Sequence, residues 1–442
     1  MNDLERELDA LTATITKLRA LPVDDPIRLR AERVAESFVR DGRHRRRRTE
    51  RAQRSAADAA VLAATATGAR DRREDAPLRA AGTSGVLVRP RRCYVCKDRY
   101  HRTDAFYHLL CEACAADNHA RRTLHTDLTG RRALLTGGRV KIGFQLALML
   151  LRDGAELLVT SRFPRDTIRR FAAEPGSDAW LPRLTVIGID LRDPRQVIGL
   201  CDRLLDENRP LDILINNAAQ TVRRPPESYA ALIDAEHTGT TSTDRILSAP
   251  GYRPMSLRAL PSTAIALALA EPDEAGLLPD PSPTNSWSTR LGGLDPVEIL
   301  ETQLVNAYAP ILLCDRLLPL LLASPRPRRY VVNVSAVEGR FAVRNKTAAH
   351  PHTNMAKAAL NMLTRTSGPA LAEQGVHMCA VDTGWITDEN PVPTRDRLAD
   401  NGFRTPLDIV DGAARIYDPI VRGEAGSPSS GVFLKDYREA EW

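Results

Sequence analysis

Four of the seven cysteines form two closely spaced pairs whose chemistry is that of a metal site. Cys93 and Cys96 are separated by two residues, and Cys111 and Cys114 repeat that spacing after fourteen further residues. Two thiolate pairs at this separation are typical of a tetrahedral four-cysteine zinc site, in which no coordination position stays open. The second pair opens a helical segment, Ala115 to Arg122, as in treble-clef knuckles, where the helix N-terminus stabilises thiolate charge. The spacing therefore predicts structural zinc rather than free thiols or a redox pair.

A glycine-containing turn, Thr136 to Gly143 (TGGRVKIG), indicates phosphate chemistry. The turn follows an apolar run, Arg132–Leu135, that is expected to be a buried strand. It precedes an amphipathic run, Ile142–Leu151, that is expected to be a helix. Such a turn lets backbone N–H groups approach a phosphate, and the helix dipole favours the negative charge. A tight strand-to-helix loop without a ligand is the alternative.

The elements that would position this turn alternate as strand and helix from about Arg131 onward, the pattern of a doubly wound parallel sheet with helices on both faces. The expected strands are Arg132–Thr136, Glu156–Thr160, Leu184–Ile189, Ile213–Ile215, Arg329–Val334, His377–Val381 and Gly431–Leu434. The expected helices are Ile142–Arg152, Val197–Glu207, Val297–Leu322, Asn354–Glu373 and Leu407–Val421. Residues 227–296 interrupt the order with a stretch rich in Ser, Thr, Pro and Gly, with one helical island near Ser262–Leu269. A stretch of this length is either a functional lid or disordered.

Residues 1–80 carry no strand pattern and are expected to be helical, with a linker near Thr65–Thr83. The zinc module is expected at 88–124, and the sheet domain at 127–442. Much of the net charge of +6 lies in an arginine-rich run that contains Arg43–Arg48. This run could contact nucleic acid or an acidic partner, but the lack of interleaved aromatic residues favours a solvated helix face.

The acidic, polar first residues argue against a secretory signal, and no apolar run approaches the roughly 20 residues of a membrane helix. The clustered cysteines fit a reducing compartment better than a disulfide framework. We therefore expect a cytoplasmic protein without membrane association.

From about residue 127 to the C-terminus, the sequence resembles the short-chain dehydrogenase/reductase family. The turn is similar to the family's TGxxxGxG, with Thr136, Gly137 and Gly143 in place, but Lys141 replaces the middle glycine. The resemblance implies a dinucleotide bound across a Rossmann-type sheet.

Three further segments resemble cofactor-binding segments of that family. Asp190 matches its adenine-contacting aspartate, Asn216–Ala219 resembles its NNAG, and Thr383–Thr387 takes the place of the PGxxxT that closes over the nicotinamide. The candidate cofactor-binding residues, including two arginines of the domain, are Thr136, Gly137, Arg139, Lys141, Ile142, Gly143, Arg162, Asp190, Asn217, Ala218, Lys357, Thr383, Gly384 and Ile386.

The resemblance also implies that Asn306, Ser335 and Lys357 are catalytic residues. One position differs from the family's pattern. Asn306 would hold a proton-relay water, Ser335 would polarise the substrate oxygen, and Lys357 would bind the nicotinamide ribose. In the family's YxxxK motif, however, Thr353 stands where the tyrosine belongs. A tyrosine with a pKa of about 10 can be tuned by a nearby ammonium, whereas a threonine hydroxyl is far too weak an acid. Thr353 could still donate a hydrogen bond to a substrate oxygen.

Three explanations of Thr353 stay open. Another residue supplies the proton, a different reaction needs no tyrosine, or the domain binds the cofactor without turnover. The candidate proton donors are His350, His352, Tyr229, Tyr252 and His237.

The cofactor preference is indicated by Arg162, which follows the second strand of the domain. No acidic residue stands there to hold the ribose 2′-hydroxyl of NAD, whereas Arg162 and Arg139 could pair with a 2′-phosphate. NADP is therefore favoured, and NAD is the alternative.

The sequence thus predicts an NADP-dependent oxidoreductase acting on a carbonyl/hydroxyl pair of a small-molecule substrate. Lys346, His350 and His352, in the loop after Ser335, suggest a polar entrance to the substrate site that suits an anionic or polar substrate. The resemblance implies a homo-oligomer paired through the helices that carry Asn306 and Lys357. The alternative is a catalytically silent dinucleotide sensor or scaffold whose zinc module and arginine-rich arm bind a partner.

Overall fold

The computed structural model describes residues 3–78, 82–238, 244–256, 271–343 and 346–442. The helical island expected at Ser262–Leu269 lies outside the described residues. Helices α1 (Asp3–Arg19) and α2 (Pro26–Ala63) come first. Helix α2 begins sharply because Asp25 accepts hydrogen bonds from the first backbone N–H groups and Pro26 fits the first turn.

The four-cysteine segment forms a small unit of its own. Strands β1 (Val86–Arg92) and β2 (Arg99–Arg102) pair antiparallel, and helix α3 (Glu112–Arg122) follows them. The end of α2 holds β1, because Asp58 accepts the Val88 N–H at 2.6 Å.

A nine-stranded sheet forms the larger part of the protein, with strand order β11-β10-β9-β8-β6-β3-β4-β5-β7. Only the β10–β11 pair is antiparallel; the other described pairs are parallel. Its strands are β3 (Arg132–Leu135), β4 (Glu156–Ser161), β5 (Leu184–Gly188), β6 (Ile213–Asn216), β7 (Ile246–Ser248), β8 (Arg329–Ser335), β9 (Val376–Asp382), β10 (Phe433–Lys435) and β11 (Arg438–Ala440). The helices of this part of the chain are α4 (Lys141–Arg152), α5 (Pro164–Ala172), α6 (Pro194–Asp206), α7 (Ala230–Thr238), α8 (Pro296–Gln303), α9 (Ala309–Arg316), α10 (Leu318–Leu322), α11 (Pro351–Glu373), α12 (Val392–Asp400) and α13 (Ile409–Glu424). The predicted doubly wound fold is confirmed.

The long helix expected at Val297–Leu322 differs from the structure. It is divided into α8, a π-helical turn at Leu304–Tyr308, α9 and α10. A proline lies in the first turn of both α9 and α10, where its missing N–H costs least. Apolar spacing alone does not reveal these breaks.

The stretch after α2, which composition indicated as a linker, is packed against the sheet domain. Arg72 donates to the carbonyls of Thr405, at 2.5 Å, and of Leu407. The zinc-module helix adds an ion pair from Arg122 to Asp408 at 2.5 Å. An apolar cluster continues from the module into the domain through Ile386. The two parts therefore share one core.

Within the described residues, we find no helix that combines the length and the hydrophobicity needed to cross a bilayer.

Candidate active site

The four predicted cysteine ligands meet in one place. Their sulfur atoms all lie within 4.8 Å of one another, and the Cys96 and Cys111 sulfurs are 3.7 Å apart. Tetrahedral zinc with bonds of about 2.3 Å would separate its sulfurs by about 3.8 Å. The Cys111 N–H also points at the Cys93 sulfur at 3.4 Å, the usual support for a thiolate ligand. This donor set fits zinc.

The glycine turn is built against the segment after β6. Thr136 is buried, and its hydroxyl accepts the N–H groups of Asn217 and Ala218, both at 3.0 Å. The Asn217 amide returns hydrogen bonds to the carbonyls of Thr136, at 3.1 Å, and Gly137, at 2.9 Å. These paired contacts fix two segments that the resemblance assigns to one cofactor.

Two glycines of the turn are required by close approach. A Cβ on Gly143 would overlap the Gly137 carbonyl oxygen and lie 2.6 Å from the Asn217 amide nitrogen. A Cβ on Gly137, which has φ = 71°, would lie 2.9 Å from the Ala218 Cα. Lys141, the departure from the family pattern, also has a positive φ of 56°, a conformation that glycine adopts without strain. The backbone of the turn is thus kept although one glycine is lost.

The Lys141 side chain meets a residue that sequence reasoning missed. Its ammonium lies 3.0 Å from the Asp75 carboxylate, which comes from the stretch after α2. Burial works against the charged form, but the carboxylates of Glu389 and Asp75 outweigh it and raise the pKa of Lys141. No local signal could have found this pair, because 65 residues separate the partners.

The two candidate 2′-phosphate ligands differ in their surroundings. Arg139 pairs with Asp166 at 2.7 Å and lies over the Phe163 ring. Arg162 lies over the Tyr229 ring and donates to its hydroxyl at 3.3 Å. Among the described residues, no carboxylate lies within ion-pair distance of Arg162. Arg162 is therefore the arginine available to an anion.

Asp190 stands at the end of β5, where an adenine contact is expected. It pairs with Arg192 at 2.6 Å, and this hydrogen bond lowers the pKa of Asp190 although burial opposes the shift.

These residues surround an open groove of about 400 Å³. Its lining includes the predicted Gly137, Arg139, Lys141, Ile142, Gly143, Arg162, Asp190, Asn217 and Ala218. The structure thus gathers the adenosine and diphosphate half of the predicted site. The predicted residues that do not line the groove are Thr136, Asn306, Ser335, Thr353, Lys357, Thr383, Gly384 and Ile386.

The catalytic positions lie deeper, beside β8 and α11. Asn306 sits in the π-helical turn, a feature often found at functional sites. Its amide oxygen accepts the Gln220 N–H at 2.7 Å, and its amide nitrogen donates to the Gln220 carbonyl at 3.1 Å. The π turn therefore aims Asn306 at the loop after β6.

Ser335 and Lys357 are buried and bonded within the protein. The Ser335 hydroxyl donates to the Asn361 amide oxygen at 2.6 Å, and the Lys357 ammonium donates to the Val334 carbonyl at 2.8 Å. In this conformation, neither group is presented to the groove.

Thr353 is also buried, and its hydroxyl has no hydrogen-bond partner among the described residues. Of the alternative proton donors, Tyr229 lines the adenosine end of the groove, and the Tyr252 hydroxyl is bonded to the Arg162 carbonyl at 2.8 Å. His237 lies 3.2 Å from the Met255 carbonyl. The Tyr252 hydroxyl and one ring nitrogen of His237 are therefore already engaged by backbone carbonyls.

The two histidines before Thr353 have partners of their own. His350 stacks on Trp287 with ring centroids 3.9 Å apart. His352 is buried, with its Nε2 atom 3.5 Å from a Glu298 oxygen, and neither ring nitrogen has a hydrogen bond within the described chain. His352 is therefore the nearest unsatisfied titratable group to Thr353 in sequence.

Lys357 provides a pH test of this buried site. Burial lowers the pKa of Lys357 to about 8, and Glu338 opposes the shift. Between pH 8 and 10.5, the unfolded chain holds a proton that the folded protein has released, so the free energy of unfolding should rise with pH. We expect a slope of up to about 1.4 kcal/mol per pH unit that Lys357→Met removes. Urea unfolding at pH 8 and 10 measures it, with the exposed Lys17→Met as control; equal slopes in all three proteins would contradict this burial.

The segment expected to close over the nicotinamide is held by the zinc module. The Trp385 N–H donates to the Tyr94 hydroxyl at 2.9 Å, and Tyr94 stands between Cys93 and Cys96. Ile386 is buried in the apolar cluster that contains Tyr107 and Leu110. The four-cysteine cluster and the candidate active site are therefore neighbours.

The chain is similar to a family model, to other protein sequences and to solved structures. A family model described as short chain dehydrogenase matches residues 131–240. Uncharacterized protein R665 of Acanthamoeba polyphaga mimivirus is 31% identical over 351 residues, which cover 75% of this chain and 71% of that protein. The peroxisomal 2,4-dienoyl-CoA reductase of Rattus norvegicus is 29% identical over 134 residues, which cover 28% of this chain and 44% of that enzyme. A solved short chain dehydrogenase from Burkholderia cenocepacia, in complex with NADP, is 23% identical with a TM-score of 0.46, covering 70% of this chain and 97% of its own.

Proposed function

We propose that the chain is a short-chain dehydrogenase, whose family model matches residues 131–240, and that it is an NADP-dependent oxidoreductase acting on a carbonyl/hydroxyl pair. The observation that carries this proposal is the groove, in which the glycine turn and Arg162 lie on one continuous surface. The missing side chains at Gly137 and Gly143 let the turn pack closely at the start of α4, where a helix N-terminus favours the negative charge of a diphosphate. Arg162, which has no carboxylate partner among the described residues, suits a 2′-phosphate.

In the proposed reaction, the cofactor and the side chains of this protein have separate roles. The dinucleotide, when bound, supplies or takes the hydride. Lys357 would hold the nicotinamide ribose, and Thr353 would donate a hydrogen bond to the substrate oxygen. Because threonine is a poor acid, the proton must come from another group or from water. We also propose that Cys93, Cys96, Cys111 and Cys114 hold one structural zinc.

NADPH titration followed by a turnover panel tests this proposal. We expect NADPH to bind and to be oxidised when an aldehyde or ketone substrate is present. Tight binding without turnover across the panel would favour the silent sensor or scaffold. Absence of binding to either nicotinamide coenzyme would overturn both.

Arg162 should decide between the two coenzymes. We expect Arg162→Leu to weaken NADPH binding about 30-fold, roughly 2 kcal/mol, and to leave NADH binding within threefold. Fluorescence titration of both coenzymes measures the change. Arg165→Leu, on α5 and outside the groove lining, is the matched control. Equal losses for NADPH and NADH would show that Arg162 does not read the 2′-phosphate.

We further propose a homo-oligomer paired through α8, α9 and α11, as the family resemblance implies. These helices and the π turn carry exposed apolar side chains: Val297, Leu300, Tyr308, Ile311, Met355 and Met362. Exposed apolar side chains on helices that pack against one another are typical of an interaction surface. We expect Ile311→Asp to shift the protein to a monomer in sedimentation velocity, whereas Leu291→Asp, at an 81% exposed leucine elsewhere, should not. A monomeric wild-type protein would contradict this arrangement.

A further inference from the structure

A second recess opens beside the dinucleotide groove, with a volume of about 30 Å³. One wall is the segment that follows Trp385, from Thr387 to Arg395, and the other is the insertion near Asp280 and Asn285. It shares Lys141 with the groove. The recess therefore lies next to the segment expected to close over the nicotinamide. This volume is enough for a group slightly larger than a water molecule.

The lining of the recess is predominantly acidic. It contains five carboxylates, from Asp75, Asp273, Asp280, Asp388 and Glu389, and three cations, from Lys141, Arg224 and Arg395. One cation is already neutralised, because Lys141 pairs with Asp75. An anionic substrate group would be repelled from this place.

The carboxylate of Asp388 is buried, and one of its oxygens lacks a hydrogen bond among the described residues. It is 4% exposed, and its Oδ1 atom accepts the N–H of Asn390 at 3.1 Å and the side-chain amide of Asn390 at 2.6 Å. Its Oδ2 atom is buried and receives no hydrogen bond from any described residue. A buried carboxylate oxygen without a donor is costly. A ligand with a charged N–H group would supply that donor.

A metal ion fits the recess less well than an organic cation. Apart from the cysteine cluster, the described residues contain no group of three His, Cys, Asp or Glu side chains whose ligand atoms lie close enough together to share a metal ion. The carboxylates of the recess are thus spread around a space rather than gathered on a point, which suits an ammonium with several N–H donors.

We propose that this recess binds a positively charged nitrogen of the substrate, so that the enzyme acts on amino carbonyl compounds or the corresponding amino alcohols. The inference rests on the proposed oxidoreductase function. It differs from the anionic or polar substrate expected from Lys346, His350 and His352. Lys346 donates to the Glu338 carbonyl at 2.5 Å, and none of these three residues lines the recess.

Calorimetric titration of the NADP⁺-loaded protein tests the proposal with two probes of similar size, aminoacetone and butan-2-one. We expect aminoacetone to bind at least tenfold more tightly, and Asp388→Asn to abolish this preference while NADPH binding stays within twofold. Asparagine keeps the Oδ1 acceptor, so the contact with Asn390 is retained. Asp400→Asn, at an exposed side chain on α12 that does not line the recess, is the matched control.

The outcomes separate this inference from the proposed function. Loss of NADPH binding in the wild-type protein would overturn the proposed function itself. Normal NADPH binding with equal affinity for the two probes, or an unchanged preference in Asp388→Asn, would overturn only the cation recess. Binding of magnesium ions that depends on Asp388 would replace the organic cation by a metal and would also overturn it.

Discussion

Gly143→Ala should reduce the affinity for NADPH by at least 100-fold. In a helix, this change alone would be expected to stabilise the protein by about 1 kcal/mol, since alanine has the higher helix propensity. Here the new Cβ would overlap the Gly137 carbonyl and lie 2.6 Å from the Asn217 amide nitrogen. The Gly137 carbonyl belongs to the glycine turn, and the Asn217 amide donates hydrogen bonds to that turn. Relief of the overlap must therefore displace the backbone that would contact the diphosphate. A 100-fold loss corresponds to about 2.7 kcal/mol, within the usual cost of overpacking.

Fluorescence titration with NADPH measures this effect. Gly293→Ala is the matched control, because the nearest atom to its new Cβ is 3.5 Å away and the residue has no positive φ. The control should bind NADPH as the wild-type protein does. If Gly143→Ala retained wild-type affinity, the diphosphate would not lie on this turn.

Loss of the thiolate cluster should have the largest effect on stability. We expect one zinc per chain by elemental analysis, and its loss in Cys93→Ser and Cys111→Ser. Zinc contributes about 10–16 kcal/mol to isolated zinc-finger peptides. Here the module also shares a core with the sheet domain through Ile386, Leu407 and Ile409. Its failure should therefore lower the thermal midpoint of the whole protein rather than release a separate unit.

The same cysteine substitutions should also weaken NADPH binding. Without the module, Trp385 loses its hydrogen bond to Tyr94, and the buried Asp408 loses Arg122. We expect the two variants to weaken NADPH binding at least tenfold at a temperature where they stay folded. Cys111→His, which keeps a metal ligand, should retain most of the zinc and of the affinity. Cys201→Ala, at a buried cysteine outside the cluster, should retain both. A full zinc content in Cys111→Ser would contradict the assignment.

The features that were predictable from sequence depend on neighbours along the chain. The strands at β3, β4, β5 and β8 follow from short apolar runs, because a parallel strand covered on both faces is rich in Val, Ile and Leu. The cysteine spacing is also local, and the sulfurs meet as expected. The phosphate turn follows from Gly137 and Gly143, whose missing side chains leave room that no other residue allows.

The breaks in the helix expected at Val297–Leu322 were less predictable. Pro310 and Pro319 are visible in the sequence, but each occurs in the first turn of a helix, where proline is tolerated. The π turn that carries Asn306 has no sequence signature of its own.

The amino-acid sequence alone determined the fold class, the four-cysteine cluster and the glycine turn of this protein, because each depends on residue types repeated at short, regular spacings. Only the tertiary structure brought Asp75 to Lys141, Tyr94 to Trp385 and Asp388 to the lining of a recess beside the groove. The partners in the first two contacts are 66 and 291 positions apart in the chain. Packing of the whole chain, and no local pattern, decides which distant side chains become neighbours, and it is those neighbours that set the charge and shape of the candidate site.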